Sequence, residues 1–384
     1  MVYLDNAATT KMLPEVINAM LPYMEECYGN ASSHHSLGVQ SRKAIEESRE
    51  ALADMIGAKA QEIYFTSGGS EANSWVIKGL RNPFSRRPLH IISDTQEHHS
   101  ITEALKTRWD QCGDVEYTLV DSDNNGLVDV DEIEEAFQLN TRLCSIQAVN
   151  NETGIIQPIQ RIAFICKDEG AIFHVDAVQC FGHLRLNVQD LGIDMMSVSS
   201  HKLSGPKGMG LLYISDAIKN QIYPLVNGGQ QERGLRGSTE NVAGIVGFAK
   251  AAEIAHENMA KNYEYIKGLS TELVKMLSHL PGVHTNVDLR LTDYRHISIR
   301  IDNVRAEEML ALLDSVGICV SSGSACNSDS KKPSHVLKAI GLTDDQANST
   351  IRVSLSELNT IEELQQFVTY LNQFMVLLRE RNVP

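Results

Sequence analysis

Between residues 60 and 215, short apolar or β-branched segments alternate with stretches whose apolar positions recur at the spacing of a helix. Alternation of this kind indicates an α/β layer built on a mostly parallel sheet. The pattern predicts seven strands, at residues 63–66, 90–93, 115–120, 144–149, 172–175, 195–198 and 209–214.

The same patterns predict further helices and a second structural unit outside this region. Helices are expected at residues 41–57, at 240–256 with a longer run to 280, and at about 361–379. The second unit contains strands at 296–301, 319–321 and 351–354. The periodicity of the first helix is amphipathic, and Gly57 supplies its C-terminal stop.

Together these elements predict two domains. The large α/β domain spans residues 12–255 and carries a mostly parallel seven-stranded sheet between helices. The smaller α+β domain combines residues 1–11 with 256–384. A chain of 384 residues with 42% hydrophobic positions can bury cores of this size.

Composition narrows the classes of partner and compartment. A net charge of -15 argues against direct nucleic-acid binding and against a membrane surface as the main partner. The N-terminus lacks a basic region followed by an apolar run, and no segment reaches membrane-spanning length. Seven cysteines without Cys-x-x-Cys spacing fit neither a disulfide framework nor a zinc site. A reducing cytoplasm and no metal site are therefore expected.

Lys202 directly follows the strand predicted at 195–198, in the segment Ser199-Ser-His-Lys202, and precedes a glycine-rich turn. A lysine at the end of a buried strand loses hydration, which favours the neutral amine and makes imine formation with an aldehyde cofactor possible. On this segment alone, an ordinary surface lysine beside a turn is an equally good interpretation.

Polar residues also follow four other predicted strands, and ligands of open α/β sheets bind at the carboxyl ends of strands. Their recurrence at one edge favours a site over separate turns and caps. The groups are Ser67-Gly-Gly-Ser70, Glu97-His98-His99, Asn150-Asn-Glu152 and Asp176 with Gln179.

Pyridoxal phosphate needs an imine-forming lysine, an anion beside the ring nitrogen, a phosphate cup and a flat group against the ring. Asp176 can supply the anion, and His98 can stack on the ring. Gly69 and Ser70 open a predicted helix, where backbone N–H groups and the helix dipole suit a phosphate.

With these motifs the chain resembles the class V, fold-type I pyridoxal-phosphate enzymes, and within them the NifS/IscS-like cysteine desulfurases. The resemblance runs nearly end to end. The matching motifs are Tyr3-Leu-Asp-Asn-Ala-Ala-Thr-Thr10, Thr66-Ser-Gly-Gly-Ser-Glu-Ala-Asn73, Glu97-His98, Val149-Asn-Asn-Glu-Thr-Gly154, His174-Val-Asp-Ala-Val-Gln179, Ser199-Ser-His-Lys202, Arg236-Gly-Ser-Thr239 and Ser321-Ser-Gly-Ser-Ala-Cys326.

The resemblance implies roles for individual residues. Lys202 would hold the cofactor, Asp176 would meet its ring nitrogen, and Gln179 would bond its ring hydroxyl. Asn151 would lie near the cofactor and Arg352 would bind the substrate carboxylate. The stacking group would be His98, and the phosphate would be held by Gly69, Ser70, Ser199, His201 and, from the other subunit of a homodimer, Thr239.

Cys326 lies in a polar run of small residues that predicts a loop, where a thiol can react. The reaction implied is removal of sulfur from L-cysteine, which leaves L-alanine and a persulfide on Cys326 for an acceptor thiol. The acceptor would be a scaffold or sulfurtransferase protein serving iron–sulfur clusters or tRNA thiolation. Four cysteines in apolar segments are expected to have a packing role: Cys144, Cys166, Cys180 and Cys319.

Two departures from the family pattern affect these expectations. Glu357 stands where many members carry arginine, which predicts altered electrostatics near the substrate entrance. The chain also stops at Pro384, just after its last predicted helix, so the extension with which longer relatives dock a scaffold is expected to be absent.

Residues 121–132 match the calcium-loop pattern, with Asp121, Asp123, Asn125-Gly126 and Glu132 at the ligand spacing. An EF-hand needs a helix before the loop, whereas residues 115–120 alternate as a strand. A strand, an Asn125-Gly126 turn and a helix capped near Asp129 or Asp131 is therefore the favoured interpretation.

Two other functions stay open at this stage. One is a selenocysteine lyase, or a related lyase or aminotransferase of the same fold, for which Cys326 would have no use in the aminotransferase case. The other is a non-catalytic sulfur-relay or calcium-responsive binding protein.

Overall fold

The computed structural model describes residues 1–83, 87–323 and 332–381. Its strands are β1 (Val2–Tyr3), β2 (Ile63–Thr66), β3 (Leu89–Asp94), β4 (Val115–Val120), β5 (Thr141–Gln147), β6 (Ile172–Asp176), β7 (Met195–Ser199), β8 (Gly210–Ile214), β9 (Val283–Thr285), β10 (His296–Ile301), β11 (Ile318–Cys319), β12 (Ser321–Ser322) and β13 (Thr350–Ser354). Its helices are α1 (Pro14–Glu25), α2 (Ser36–Met55), α3 (Gly69–Gly79), α4 (His99–Cys112), α5 (Val130–Glu135), α6 (Ile159–Asp168), α7 (Val242–Ser278), α8 (Ala306–Ser315), α9 (His335–Ala339), α10 (Asp344–Asn348) and α11 (Ile361–Arg381).

A seven-stranded sheet has the order β2-β8-β7-β6-β5-β3-β4. β8 pairs antiparallel with β2 and β7, and the other pairs are parallel. The carboxyl ends of β2, β3, β5, β6 and β7 consequently lie at one edge. This arrangement confirms the predicted α/β fold with a mostly parallel sheet.

The largest boundary error in this sheet concerns β5, which was expected at 144–149. The strand starts at Thr141 and ends at Gln147. The following residues leave the sheet because they fold back on themselves, with the N–H of Asn150 bonded to the carbonyl of Ile155. That turn places Asn150 and its neighbours at the edge of the sheet instead of within it.

A second sheet has the order β12-β13-β10-β9, and β1 pairs separately with β11. The single strand predicted at 319–321 is therefore two short strands. Cys319 pairs with Tyr3 of β1, whereas Ser321 pairs with Arg352 of β13, so the chain changes partners at Val320.

Helix α7 is one continuous helix of 37 residues where the pattern suggested helices to 256 and onward to 280. Its first part, including Phe248, packs in the core around the seven-stranded sheet. Its last part, including Leu273, packs in the core around β10 and α11. The division of the chain into domains at 12–255 and the remainder stays a prediction.

The segment that resembles a calcium loop has the strand–turn–helix geometry that the sequence favoured. Asp123 accepts the backbone N–H groups of Asn125 and Leu127, and Gly126 has a φ of +86°. Asp129 caps α5 by accepting the N–H of the residue two positions on. Asp123 is therefore used by the turn and Asp129 by the helix cap.

The cysteines divide by burial largely as expected. Cys144, Cys166 and Cys180 are buried, which confirms their packing environment. Cys319 is only half-buried, because it lies in the two-residue pairing of β1 with β11 instead of a central strand. Among the described residues, no helix combines the length and the apolar character that crossing a bilayer requires.

Candidate active site

A cavity of about 880 Å³ opens at the carboxyl edge of the seven-stranded sheet. Its volume suits a cofactor together with a small substrate. Ten residues that the sequence singled out line it: Gly69, Ser70, His98, Asn151, Asp176, Gln179, Ser199, His201, Lys202 and Arg352.

Lys202 ends a short helical turn that follows β7. Its Nζ donates to the carbonyl oxygens of Ala7 at 2.5 Å and Ala8 at 2.8 Å. The backbone carbonyl of Lys202 accepts from Nε2 of His183 at 3.0 Å. Burial lowers the pKa of His183 to about 3, so this imidazole is neutral and holds the lysine backbone as a hydrogen-bond donor.

The N-terminus of α3 forms a cradle for an anion. A Cβ on Gly69 would lie 2.5 Å from Cγ2 of Val178, so only glycine allows this approach of the helix to the loop after β6. The N–H groups of the first turn of an α-helix have no partner within the helix, and with the helix dipole they suit a phosphate. Ser70 and Ser199 bring hydroxyl groups to the same end of the cavity.

His201 lines the same cavity, and its Nδ1 is 3.2 Å from Oγ1 of Thr9. Burial, together with the charges of Lys202 and Lys207, lowers the pKa of His201 to about 4. The ring is therefore neutral near pH 7 and acts by hydrogen bonding.

Asp176 ends β6 with both carboxylate oxygens engaged. Oδ1 accepts the N–H of Val178 at 2.9 Å, and Oδ2 accepts from Nδ2 of Asn73 at 2.6 Å. One turn further on, Nε2 of Gln179 donates to the carbonyl of Ala7 at 3.2 Å. Oε1 of Gln179 is buried without a hydrogen-bond partner in the described part of the chain, which leaves an acceptor for a ligand hydroxyl.

His98 caps the N-terminus of α4 and lines the cavity. Its Nδ1 is 3.1 Å from the backbone N of Ser100 and 2.8 Å from the hydroxyl of the same residue. Burial lowers the pKa of His98, and the charge of Lys202 adds to this effect while that of Asp176 opposes it. A neutral, flat imidazole therefore faces the cavity.

Arg352 projects from β13 and is 3% exposed. Nη1 donates to the carbonyl of Asn151 at 2.7 Å, and Nη2 donates to Oδ1 of Asp5 at 2.9 Å. Its Nε has no partner among the described residues. The guanidinium is thus fixed in direction and keeps donor capacity for an anion in the cavity.

Glu152 follows Asn151 along the chain, and its buried carboxylate accepts from the hydroxyl of Ser334 at 2.6 Å. Burial raises the pKa of Glu152 to about 7, although the hydrogen bond from Ser334 and the charge of Arg352 act in the opposite direction. A carboxyl group that titrates near neutral pH therefore lies in the cavity wall.

These groups fit pyridoxal phosphate. The cavity combines a lysine amine, a carboxylate at a strand end, a flat neutral imidazole and an anion cradle at the N-terminus of α3. The buried acceptor on Gln179, which finds no partner in the described structure, matches the hydroxyl of the pyridine ring. Each requirement of the cofactor thus has a candidate donor or acceptor on this chain.

One predicted site residue among the described residues does not line this cavity. Thr239 is exposed and lines a separate small pocket with Ser67 and Arg236. Cys326 lies outside the described residues.

Glu357 also lies elsewhere. It lines a small pocket together with Lys202 and Arg295, and its charge acts on the buried guanidinium of Arg295. Burial lowers the pKa of Arg295, and the carboxylates of Asp293 and Glu357 partly counteract this. The expected effect of Glu357 on the electrostatics near the substrate entrance stays a prediction, and the structure adds that its charge acts on Arg295.

Sequence reasoning assigned no role to several residues of the cavity and its wall. Asp5 and Ala7 were noted only within a matching motif, although they hold Arg352 and Lys202. Asn73 follows Gly69 at a spacing of four residues and so shares its helix face, a signal that could have been used. The contribution of His335, which lines the cavity and whose Nε2 donates to the carbonyl of Glu97 at 2.9 Å, had no sequence signal.

Comparisons with known proteins agree with this geometry. The family model described as aminotransferase class-V matches residues 2–367. A cysteine desulfurase IscS from Dictyoglomus turgidum is 43% identical over 384 residues, covering 98% of this chain and 95% of that protein.

Two solved structures are similar over nearly the whole chain. One, titled NifS-like protein, has a TM-score of 0.91 and 35% identity, and covers 98% of this chain and 99% of its own. The other, titled SspA in complex with cysteine, has a TM-score of 0.83 and 34% identity, with coverages of 94% and 100%. The chain belongs to the class-V aminotransferase family, and pyridoxal phosphate is the cofactor of these enzymes.

Proposed function

We propose that this protein is a cysteine desulfurase that removes sulfur from L-cysteine and holds it as a persulfide on Cys326. The observation that supports this most directly is the convergence of ten residues from separate motifs on one cavity. The similarity to a cysteine desulfurase over 98% of the chain and to a structure solved with cysteine agrees with that proposal.

Lys202, Asp176, Gln179 and the cradle at Gly69 would hold the cofactor. When bound, pyridoxal phosphate supplies an aldehyde for the lysine amine and a ring that withdraws electrons from the substrate Cα. Nζ of Lys202 would then move the α-proton, which requires the neutral amine. Ala7 and Ala8 aim this nitrogen through their carbonyl groups.

Arg352 and Asn151 would bind and orient the carboxylate of cysteine. The guanidinium is buried and fixed at two nitrogens by Asp5 and the backbone of Asn151, so a carboxylate bound at the remaining N–H groups needs little reorganisation. This binding would select an α-amino acid and place its sulfur away from the anchoring end.

The sulfur transfer is balanced without an added oxidant. The Cβ–S bond of cysteine breaks, a bond forms between that sulfur and the sulfur of Cys326, and Cβ gains a proton to give alanine. The thiol proton stays on the terminal sulfur of the persulfide. In a reducing cytoplasm, an acceptor thiol would collect the terminal sulfur. This thiol would belong to a scaffold or sulfurtransferase protein that serves iron–sulfur clusters or tRNA thiolation.

We also propose a homodimer. Thr239 is exposed and does not line the main cavity of its own chain, which is compatible with a contact to the phosphate of the partner subunit. Helix α1 and the loop after it expose large apolar side chains, including Met24 at 63% and Tyr28 at 71%. A second copy of the chain would cover such a surface.

The test is production of alanine and sulfide from L-cysteine with a dithiol reductant on cofactor-loaded protein. Cys326→Ala should keep the cofactor absorbance and lose both products, whereas Cys112→Ala, which removes an exposed thiol, should match the wild type. Lys202→Ala should lose the absorbance of lysine-bound cofactor. Full turnover by Cys326→Ala would instead support a lyase or aminotransferase.

A further inference from the structure

The side chains of Asn73 and Ser100, which have no role in the proposed function, connect Asp176 to His98 through hydrogen bonds. Nδ2 of Asn73 donates to Oδ2 of Asp176 at 2.6 Å and to Oγ of Ser100 at 2.9 Å. Oγ of Ser100 lies 2.8 Å from Nδ1 of His98. Asn73 is 1% exposed, so this chain of hydrogen bonds runs through the interior beside the cavity.

The chemistry of each group fixes the direction of these bonds. A carboxylate only accepts, so the amide nitrogen of Asn73 faces Asp176, and its other N–H reaches Ser100. The backbone N–H of Ser100 also points to Nδ1 of His98, at 3.1 Å, and a donor there requires a ring nitrogen without hydrogen. The hydroxyl of Ser100 must therefore donate to Nδ1 as well, and the proton of neutral His98 is on Nε2.

We propose that Ser100 and Asn73 are positioning residues that hold His98 in the Nε2–H tautomer and fix its ring relative to Asp176. The proposal rests on the proposed function, in which Asp176 and His98, the two ends of this series of hydrogen bonds, contact the cofactor. It assigns to Ser100 a role separate from cofactor binding, namely to make His98 a hydrogen-bond donor towards the cavity.

The same bonds disfavour the imidazolium. A protonated His98 would place N–H on Nδ1 against the backbone N–H of Ser100, which cannot turn away. The charged and titratable groups around the ring are Asp176 from β6, Lys202 after β7, His99 from α4 and His335 from α9. Burial acts first to lower the pKa of His98, Asp176 opposes it, and the other three add to it.

The test uses ¹⁵N-histidine NMR on the cofactor-loaded protein without substrate, with His98→Gln to assign the signals. The wild type should show a non-protonated Nδ1 and a protonated Nε2 at pH 7. A wild-type spectrum with the proton on Nδ1 overturns the proposal without any variant.

Ser100→Ala removes the hydroxyl donor, and Ser100→Thr restores one. We expect the titration midpoint of His98 to rise by about half to one pH unit in the alanine variant, since one hydrogen bond contributes about 0.5–1.5 kcal/mol. The kcat of Ser100→Ala for cysteine should fall several-fold with KM unchanged. Ser100→Thr should restore both the titration midpoint and kcat. Thr102→Ala, two residues further along α4, is the matched control and should titrate like the wild type.

A midpoint in Ser100→Ala equal to that of the wild type, or a failure of threonine to restore it, contradicts the proposed role. Because the tautomer and the midpoint are measured without cysteine, they report on His98 even if the protein does not release sulfur. A wild type without desulfurase activity would thus count against the proposed function, whereas the NMR measurement on His98 would still test the role of Ser100.

Discussion

Replacement of Glu152 by glutamine should change how stability depends on pH. The carboxyl group is 4% exposed, and burial raises its pKa from 4.5 to about 7. Its hydrogen bond from the Ser334 hydroxyl can be kept by a glutamine oxygen. Glu152→Gln therefore removes a buried ionisation while it preserves this contact.

The sign follows from the raised pKa. Below pH 4.5 the carboxyl is protonated in both the folded and the unfolded chain, so it does not favour unfolding. Between pH 4.5 and about 7 the unfolded chain ionises first, and wild-type stability is lost as pH rises through the folded pKa of Glu152. The difference between the unfolded pKa of 4.5 and the folded pKa of about 7, at about 1.4 kcal/mol for each pH unit, corresponds to about 3 kcal/mol of stability.

Urea unfolding at pH 4.5 and pH 8.5 measures this change, with the fluorescence of the fully buried Trp75 as one signal. The free energy of unfolding of Glu152→Gln minus that of the wild type should grow by about 3 kcal/mol towards alkaline pH. Any constant effect of the substitution cancels between the two pH values. A difference that stays constant with pH refutes the argument.

Glu71→Gln is the matched control with the opposite sign. Burial alone would raise the pKa of Glu71, but the hydrogen bonds from Arg236 and Ser67 outweigh this effect. The pKa of Glu71 is therefore lowered overall. The stability that this carboxylate contributes is present above its unfolded pKa and lost as pH falls through the folded value. The penalty of Glu71→Gln should therefore shrink towards acidic pH.

Three further predictions concern the substrate, a buried ion pair and a helix cap. Arg352→Lys should raise KM for L-cysteine about 10- to 100-fold in steady-state kinetics with little change in kcat, because a lysine loses the planar fork. Arg49→Ala should lower the free energy of unfolding by about 3–5 kcal/mol in urea, since it strands the buried Glu232, 2.7 Å away. Asp129→Ala should lower the free energy of unfolding by about 1 kcal/mol, because it removes the cap of α5. Millimolar calcium should leave the melting temperature of the wild type unchanged, and a rise with calcium would instead support a calcium site at residues 121–132.

Sequence patterns located best two short strands that are rich in apolar and β-branched residues. The strand at 115–120 and the strand at 63–66 match the structure at both ends. The pattern at 319–321 failed because its residues pair with two distant strands, one at the N-terminus and one at 350–354. Local sequence carries no information about such a change of partner.

The candidate site shows the same limit. Gly69, Asp176 and Lys202 could be found because each lies at or just after the end of a strand in a recognisable motif. The contacts that orient them could not, since Ala7 acts through its backbone carbonyl, which any residue possesses. The position of Glu357 in a pocket with Lys202 and Arg295 likewise depends on tertiary packing.

The N-terminal segment has a consequence for the order in which the site forms during synthesis. Ala7, which accepts from Nζ of Lys202, is held by its own N–H bonded to the hydroxyl of Ser354, and Leu4 is bonded to the carbonyl of Cys319. Leu4 and Ala7 are thus synthesised long before Cys319 and Ser354, which help to hold them. A nascent chain can form much of its large sheet early, but the lysine acquires its final surroundings only once translation has passed residue 354.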